Sequence, residues 1–289
     1  MSVEPSWDLV YDLRQMLAYP FMTNALRAGA IVAVVAGAVG WFMVLRRQSF
    51  AGHTLAVVGV PGAALATLAG WNVAVGYFGA CIVTALVLGA VPSSRAAATA
   101  GEESAVIGTT QALVLALGFL FSSLSPGFTS SLDGRLFGSI IGVTADQVIA
   151  LLVAGIACLG GLLAIGRPLL FASVDPAVAR ARGVPVGILS VAFLLLLAIA
   201  TAGAAQITGA LLVFALLVAP AAAAARLTAR PAFGLALSVV IGLAVTWLGE
   251  SVAFFSPYPI GFWVTTFAFA AFVLAAGWRA AADRRGRAA

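Results

Sequence analysis

The sequence contains no lysine, one histidine and two cysteines among 289 residues, and only 9% of its residues are charged. Each shortage excludes something. Without lysine there is no GxxxxGK[ST] loop, whose lysine reaches the terminal phosphates of a nucleotide, so the chain does not hydrolyse ATP by that route. A closed zinc site of Cys and His takes four ligands. The chain offers only His53, Cys81 and Cys158, far apart. Both cysteines fall inside apolar runs and read as small packing residues, with no disulfide framework. A catalytic pocket gathers titratable groups, and no such constellation is visible. Soluble domains carry about 25% charged residues; a chain with 9% has too few to cover a water-facing surface.

Long apolar runs fill the place of the missing charges. Mean hydropathy is +1.12, and segments of about 20 apolar residues recur, long enough to cross a ~30 Å hydrocarbon layer. The expectation is an all-α, polytopic membrane protein forming one transmembrane domain over residues 1–289. Nine spans are predicted, at roughly 28–45, 52–70, 73–92, 105–123, 147–165, 187–204, 207–225, 232–250 and 258–278. Alternating ten-residue segments of the kind a transmembrane barrel needs are not seen. Ahead of the spans, Trp7, Val10, Tyr11, Leu13 and Leu17 recur at near-helical spacing within 5–21, which predicts an interfacial amphipathic helix over about 1–20. Glu4, Asp8 and Asp12 stand where a leader would be basic, so no cleaved signal peptide is expected.

All 15 basic residues are arginine. With the abundance of alanine, this composition suggests a GC-rich bacterial genome. Arg46, Arg47, Arg95, Arg167, Arg180, Arg182, Arg226, Arg230, Arg279, Arg284, Arg285 and Arg287 fall on one side of the nine-span arrangement. Only Arg14, Arg27 and Arg135 fall on the other. The positive-inside rule therefore sets the N-terminus outside and the C-terminus in the cytoplasm, with 279–289 as a basic cytoplasmic tail. The arginines anchor spans in short loops, and no nucleic-acid partner is expected.

Two loops are long. The outer one, 122–142, is rich in Ser and Gly and reads as a surface loop or a short re-entrant piece. The inner one, 166–187, carries its own punctuation. Asp175 is placed to cap a short helix with Pro176 at its first position; Ala177 to Arg182 continue it, and Gly183 and Pro185 stop it. Such a helix between two spans on the arginine-rich face is either a plain connector or a docking element for a soluble partner.

Few polar groups touch the spans. His53 and Thr54 open the second, Glu102 and Glu103 the fourth, and Asp146 the fifth. Gln206 and Thr208 sit at a Gly-flanked junction of the sixth and seventh, and Glu250 and Ser251 close the eighth. Ionisable groups within or beside spans are candidate transport contacts. Glu102 and Glu103 also suit a helix N-terminus electrostatically, and Glu250 also reads as a water-facing interfacial carboxylate. Gly29, Ala33 and Gly37 follow the small-xxx-small spacing of close helix contacts. Pro61-Gly62 and Pro220 are expected to kink or break their helices, as substrate-lining helices often are.

Four stretches together resemble one family, the permease subunits of metal-importing ABC transporters of the zinc/manganese/iron group. Residues 21–66 resemble its opening, an apolar span followed by RR-x-S-F-x-G-D-A-L-S-H and an A-x-x-P-G-x-A-L-A end. Residues 171–189, FASVDPAVARARGVPVGIL, resemble its D-P-x-x-A-x-x-x-G-x-P cytoplasmic segment. Residues 206–227 resemble its V-G-x-L-L-V-x-A-L-L-x-x-P-A-A-x-A span, and 136–148 its L-F-G-x-I-L-G-V segment. One departure stands out. Gly52-His53-Thr54-Leu55-Ala56-Val57 places His53 where the family has Asp and Val57 where it has His. The resemblance implies that side chains at these two positions touch the metal in transit, which makes His53 a metal ligand. An imidazole suits zinc better than manganese.

The resemblance further implies a homodimer of permeases, a separate cytoplasmic ATP-binding subunit and an extracytoplasmic metal-binding protein, in the cytoplasmic membrane of a bacterium. No permanent cofactor is expected; the zinc or manganese is cargo. His53, Thr54, Gln206 and Glu250 are the candidate pathway contacts. Asp175, Pro176, Ala179, Arg180 and Gly183 form the candidate coupling element. Rival readings are an ABC permease for a metal chelate or other small solute, and a secondary transporter, which would need a mid-span proton or sodium site.

Overall fold

The computed structural model describes residues 9–90, 100–124 and 143–288, and every regular element among them is a helix. In chain order these are α1 (Leu9–Leu17), α2 (Pro20–Leu45), α3 (Ser49–Leu68), α4 (Val73–Ala90), α5 (Ala100–Leu124), α6 (Ala145–Val174), α7 (Pro176–Ala181), α8 (Val186–Thr208), α9 (Ala210–Leu227), α10 (Pro231–Phe254) and α11 (Ile260–Ala288). Each expected span falls mainly on one helix. Eight of the helices are long and apolar enough to cross a membrane; the span expected at 207–225 is the shorter α9. With α9 counted beside those eight among the described residues, the two ends fall on opposite faces, and the positive-inside rule makes the arginine-rich loops and the C-terminus cytoplasmic.

Several edges differ from the sequence reading. The first span was expected from 28, but α2 begins at Pro20, where a proline costs the helix no hydrogen bond. The expected inner loop begins at 166, but α6 runs through Gly166, Arg167 and Pro168 to Val174. A mid-helix proline removes one backbone bond, and the buried Leu169 and Ala172 beyond it hold the helix together. Nor do Pro61 and Pro220 break α3 and α9. The tail from Arg279 continues α11, with an exposed Arg279–Asp283 pair one turn apart at 3.2 Å. The segments 125–142 and 91–99, with the expected outer loop and most of the 136–148 motif, lie outside the described residues.

The inner helices are α2 and α3, each with 72% of its apolar window buried, whereas α5 has 6% and is largely uncovered by the rest of the chain. Helix α2 packs antiparallel against α10 in four-residue steps. Trp41 meets Gly234, Gly37 meets Ser238, Ala33 meets Gly242, and Gly29 meets Thr246 and Glu250. Both helices thus present i±4 rows, and small residues let the backbones approach. The Ser238 hydroxyl donates to the Gly37 carbonyl at 2.8 Å. Helix α3 closes on α4 at Gly62 and Gly76, where a Cβ on either would run into the other's backbone. Cys81 and Cys158 are buried free thiols whose Sγ atoms face the Leu55 and Leu196 carbonyls at 3.5 and 3.4 Å. That is the packing role expected of them.

Candidate functional site

The turn from α2 to α3 takes three residues. Gln48 N–H donates to the Met43 carbonyl at 2.9 Å and Arg47 N–H to the Val44 carbonyl at 3.0 Å. This is a Schellman termination, with Arg47 at φ 58 in the position glycine usually takes. Arg47 is the one non-glycine residue with positive φ among those described. The turn starts α3 at Ser49, so His53 lies about 6 Å up the helix axis.

From Ala51 to Ala64 the chain's own helices bury every residue of α3 except His53 and Val57. These two, one turn apart, are partly open. They are the two positions at which the resemblance implies contact with the metal. The His53 ring meets the Phe214 ring of α9 edge-on, centroids 4.7 Å apart, and its Nδ1 is buried without a hydrogen-bond partner. Pro61 supplies no N–H for the carbonyl of Val57, four residues back. Phe214 is also part of an apolar groove of about 930 Å³ between α9 and α11, lined by residues such as Leu212, Val218, Pro259, Phe269 and Phe272.

The other pathway candidates are not gathered here. Thr54 points away from His53 and is buried; its hydroxyl bonds the Gln111 Oε1 of α5 at 3.0 Å and the Phe50 carbonyl at 3.2 Å. Gln206 and Thr208 bond the carbonyls of Ala202 (3.1 Å) and Ala204 (3.0 Å) in their own helix. They sit beside Gly209, the single residue between α8 and α9, at φ 87. Glu250 is only 2% exposed. It lies between α10 and α2 in the room that Gly29 leaves, with Oε2 and the nearby Thr246 Oγ1 both without partners. It is therefore not the water-facing carboxylate that its place near a span end suggests. Asp146 follows an N-cap that sequence reading passed over: the Thr144 hydroxyl accepts from Gln147 N–H at 3.3 Å, and the Gln147 side chain accepts from Thr144 N–H at 3.0 Å. The side chains of Glu102 and Glu103 lie outside the described residues. Among the described residues no three His, Cys, Asp or Glu come together to hold a metal ion.

The inner segment folds as its punctuation indicates. The Asp175 carboxylate accepts from the N–H groups of Ala177 and Val178, both at 3.0 Å. Pro176 opens α7. At the other end Val184 N–H reaches the Ala179 carbonyl and Gly183 N–H the Arg180 carbonyl, both at 3.0 Å, with Gly183 at φ 78. Ala179 is fully buried, while Pro176, Val178, Arg180 and Arg182 face outward. So α7 is a short helix capped at both ends, with Ala179 buried and an exposed mixed apolar and basic face.

Comparison with known proteins places this arrangement. The ABC 3 transport family matches residues 18–278. The chain belongs to the ABC 3 transport family. It is 30% identical to the manganese transport system membrane protein MntC of Halalkalibacterium halodurans, over 82% of this chain and 80% of the relative. It is also 30% identical to the chelated iron transport system membrane protein YfeC of Yersinia pestis, over 84% and 81%. Among solved structures it is similar to a chain of PsaBC from Streptococcus pneumoniae in complex with Fab, with a TM-score of 0.80 and 26% identity over 92% of this chain and 95% of that one. An inward-facing putative metal-chelate type ABC transporter shares the fold, with a TM-score of 0.72 at 18% identity. As a member of the ABC 3 transport family, the chain is a multi-pass permease of the bacterial cytoplasmic membrane and a component of a metal-importing ABC transporter. The expectation of a metal ABC permease holds; the relatives' names are those of manganese and chelated-iron systems.

Proposed function

We propose that two copies of this permease form a path for a free divalent metal ion, with His53 of each copy as its ligand and zinc preferred over manganese. The carrying observation is the open strip of α3. Where the surrounding helix is covered, only His53 and Val57 are left accessible, and both match ligand positions of the family motif. The unpartnered Nδ1 leaves the imidazole's bonding capacity unspent within the chain. Neutral nitrogen suits zinc, and hard oxygen suits manganese. One imidazole per chain is a weak donor set, which fits a conduit whose capture step belongs to an extracytoplasmic binding protein.

A second copy would cover the apolar groove between α9 and α11 and bring a second His53 to the path. A cytoplasmic ATPase subunit would dock on the exposed face of α7, with Asp175, Pro176, Ala179, Arg180 and Gly183 as the coupling element. Thr54 fixes α3 against α5, and Gln206 and Glu250 are the polar groups toward the outer ends of α8 and α10. Transport then follows alternating access: nucleotide binding closes the ATPases, α7 moves, and the path opens to the other side.

The test is uptake into proteoliposomes holding this chain, its ATPase and its binding protein, offered zinc, manganese and iron in parallel. ATP-dependent zinc uptake that collapses in His53→Ala is the expected result. Equal uptake by wild type and variant would reject His53 as a ligand. The relative named for chelated iron favours a second reading, a chelate as cargo, since a chelate brings its own ligands. ATPase stimulation by the binding protein without uptake of any free metal would establish that reading instead.

A further inference from the structure

Arg46 reaches further than any other side chain of the α2–α3 turn. Its Nε donates to Gln48 Oε1 at 3.1 Å, within the turn itself. One terminal nitrogen donates to Ser173 Oγ at 3.2 Å and the other to Ser190 Oγ at 2.6 Å. Ser173 is in the last turn of α6, and Ser190 is in the second turn of α8. Between them in the sequence lies α7 and nothing else of regular structure. The guanidinium also sits 5.5 Å from the centroid of the Phe193 ring, one turn further along α8. The Ser173 hydroxyl is itself anchored to the Leu169 carbonyl, behind the residues that carry α6 past Pro168. One planar fork thus holds both ends of the α7 segment and the start of α3 together.

We propose that Arg46 is the positioning residue that relays movement of α7 to α3, and so to His53. This rests on the reading of α7 as the ATPase coupling element. The covalent route from α7 to α3 is long, running back through α6, α5 and α4. The hydrogen-bonded route is one side chain. The turn can pass on what it receives because it is short and closed at both ends: the Schellman bonds fix it to α2, and Gly52 N–H donates to the Gln48 carbonyl at 3.0 Å at the head of α3. Displacing Ser173 and Ser190 together pulls on Arg46 and, through its Nε bond to Gln48, on the N-cap of α3. The exposed Arg47 beside it contributes backbone shape and charge but makes no such bridge. Lysine at position 46 would keep the charge yet could not serve three acceptors in a plane.

The experiment measures zinc uptake per ATP hydrolysed in proteoliposomes with the full complex, using zinc chloride, for wild type, Arg46→Lys, Arg46→Ala and Ser173→Ala/Ser190→Ala. Uptake per ATP is expected to fall about tenfold in Arg46→Lys, the order that follows from losing charge-assisted hydrogen bonds, while binding-protein-stimulated hydrolysis persists. Combining Arg46→Lys with the serine pair should add little further loss, because both remove the same bridge. A purely structural role would instead lower thermal stability and complex yield with uptake per ATP unchanged, and that result overturns the relay. Asp175→Ala and Arg180→Glu run alongside. If neither changes the ratio, the coupling role of α7 is wrong, whatever Arg46 does. If both change it and Arg46→Lys does not, the relay alone is wrong.

Discussion

Glu250 occupies the space that a side chain on Gly29 would need. The carboxylate of α10 and the methyl of Thr246 both lie where a Cβ on Gly29 would be. Gly29→Ala is therefore expected to lower stability by about 1–3 kcal/mol, the usual cost of overpacking. Gly29→Ala combined with Glu250→Ala should recover part of that loss, because the second change vacates the space. Thermal unfolding of the four proteins in one detergent checks this. Additive losses would mean that the two residues do not meet.

Under the proposed pathway role, the family motif can be rebuilt at two positions. His53→Asp with Val57→His supplies a hard oxygen and an imidazole one turn apart. The pair is expected to shift preference from zinc toward manganese by about tenfold, as oxygen donors favour the harder ion. Competition uptake of the two metals is the readout. An unchanged ratio would place selectivity elsewhere.

The cap on α7 is separable from the spans. Asp175→Ala removes the acceptor for two backbone N–H groups and should cost α7 about 1 kcal/mol. Hydrogen exchange at Ala177 and Val178 is expected to quicken, with protection in α2 and α3 unchanged. Under the proposed coupling role, Asp175→Ala and Arg180→Glu both leave hydrolysis running while transport stops. Normal transport in both would remove α7 from the coupling route.

Gly62 and Gly79 form an internal control. A Cβ at Gly62 meets the backbone of Gly76, which cannot swing aside, whereas a Cβ at Gly79 meets nothing within 4 Å. Gly62→Val should abolish the folded protein or cost more than about 3 kcal/mol. Gly79→Ala should be neutral or slightly stabilising, since alanine is the better helix former. Size-exclusion profiles and melting curves distinguish them.

Hydropathy located every span and arginine placement oriented them, because both follow from the bilayer rather than from tertiary detail. The Asp175–Pro176 start and Gly183 stop of α7 were legible because capping is local chemistry. Helix ends were less legible. Hydropathy marks where hydrocarbon ends, whereas α6 continues past Pro168 on the packing of Leu169 and Ala172. Partners were not legible at all. Arg46 finds Ser173 and Ser190 at separations of 127 and 144 residues, and Ser238 finds Gly37 at 201. Glu250 looks like an interfacial acid by its place near a span end. Only the four-residue register of α10 against α2 turns it inward. The Gly29–Ala33–Gly37 spacing announced a close helix contact but could not name α10 as its other half.

The strip on α3 that holds His53 and Val57 has a consequence for how such a chain diversifies. Substitutions elsewhere between Ala51 and Ala64 disturb a packed interior, and their effects propagate to α4, α5 and α8. Changes at the two partly open positions meet less of the chain's own packing, chiefly Phe214 beside His53. Under the proposed pathway role of these two positions, ligand identity is partly uncoupled from foldability, and cargo preference can drift while the architecture stays put.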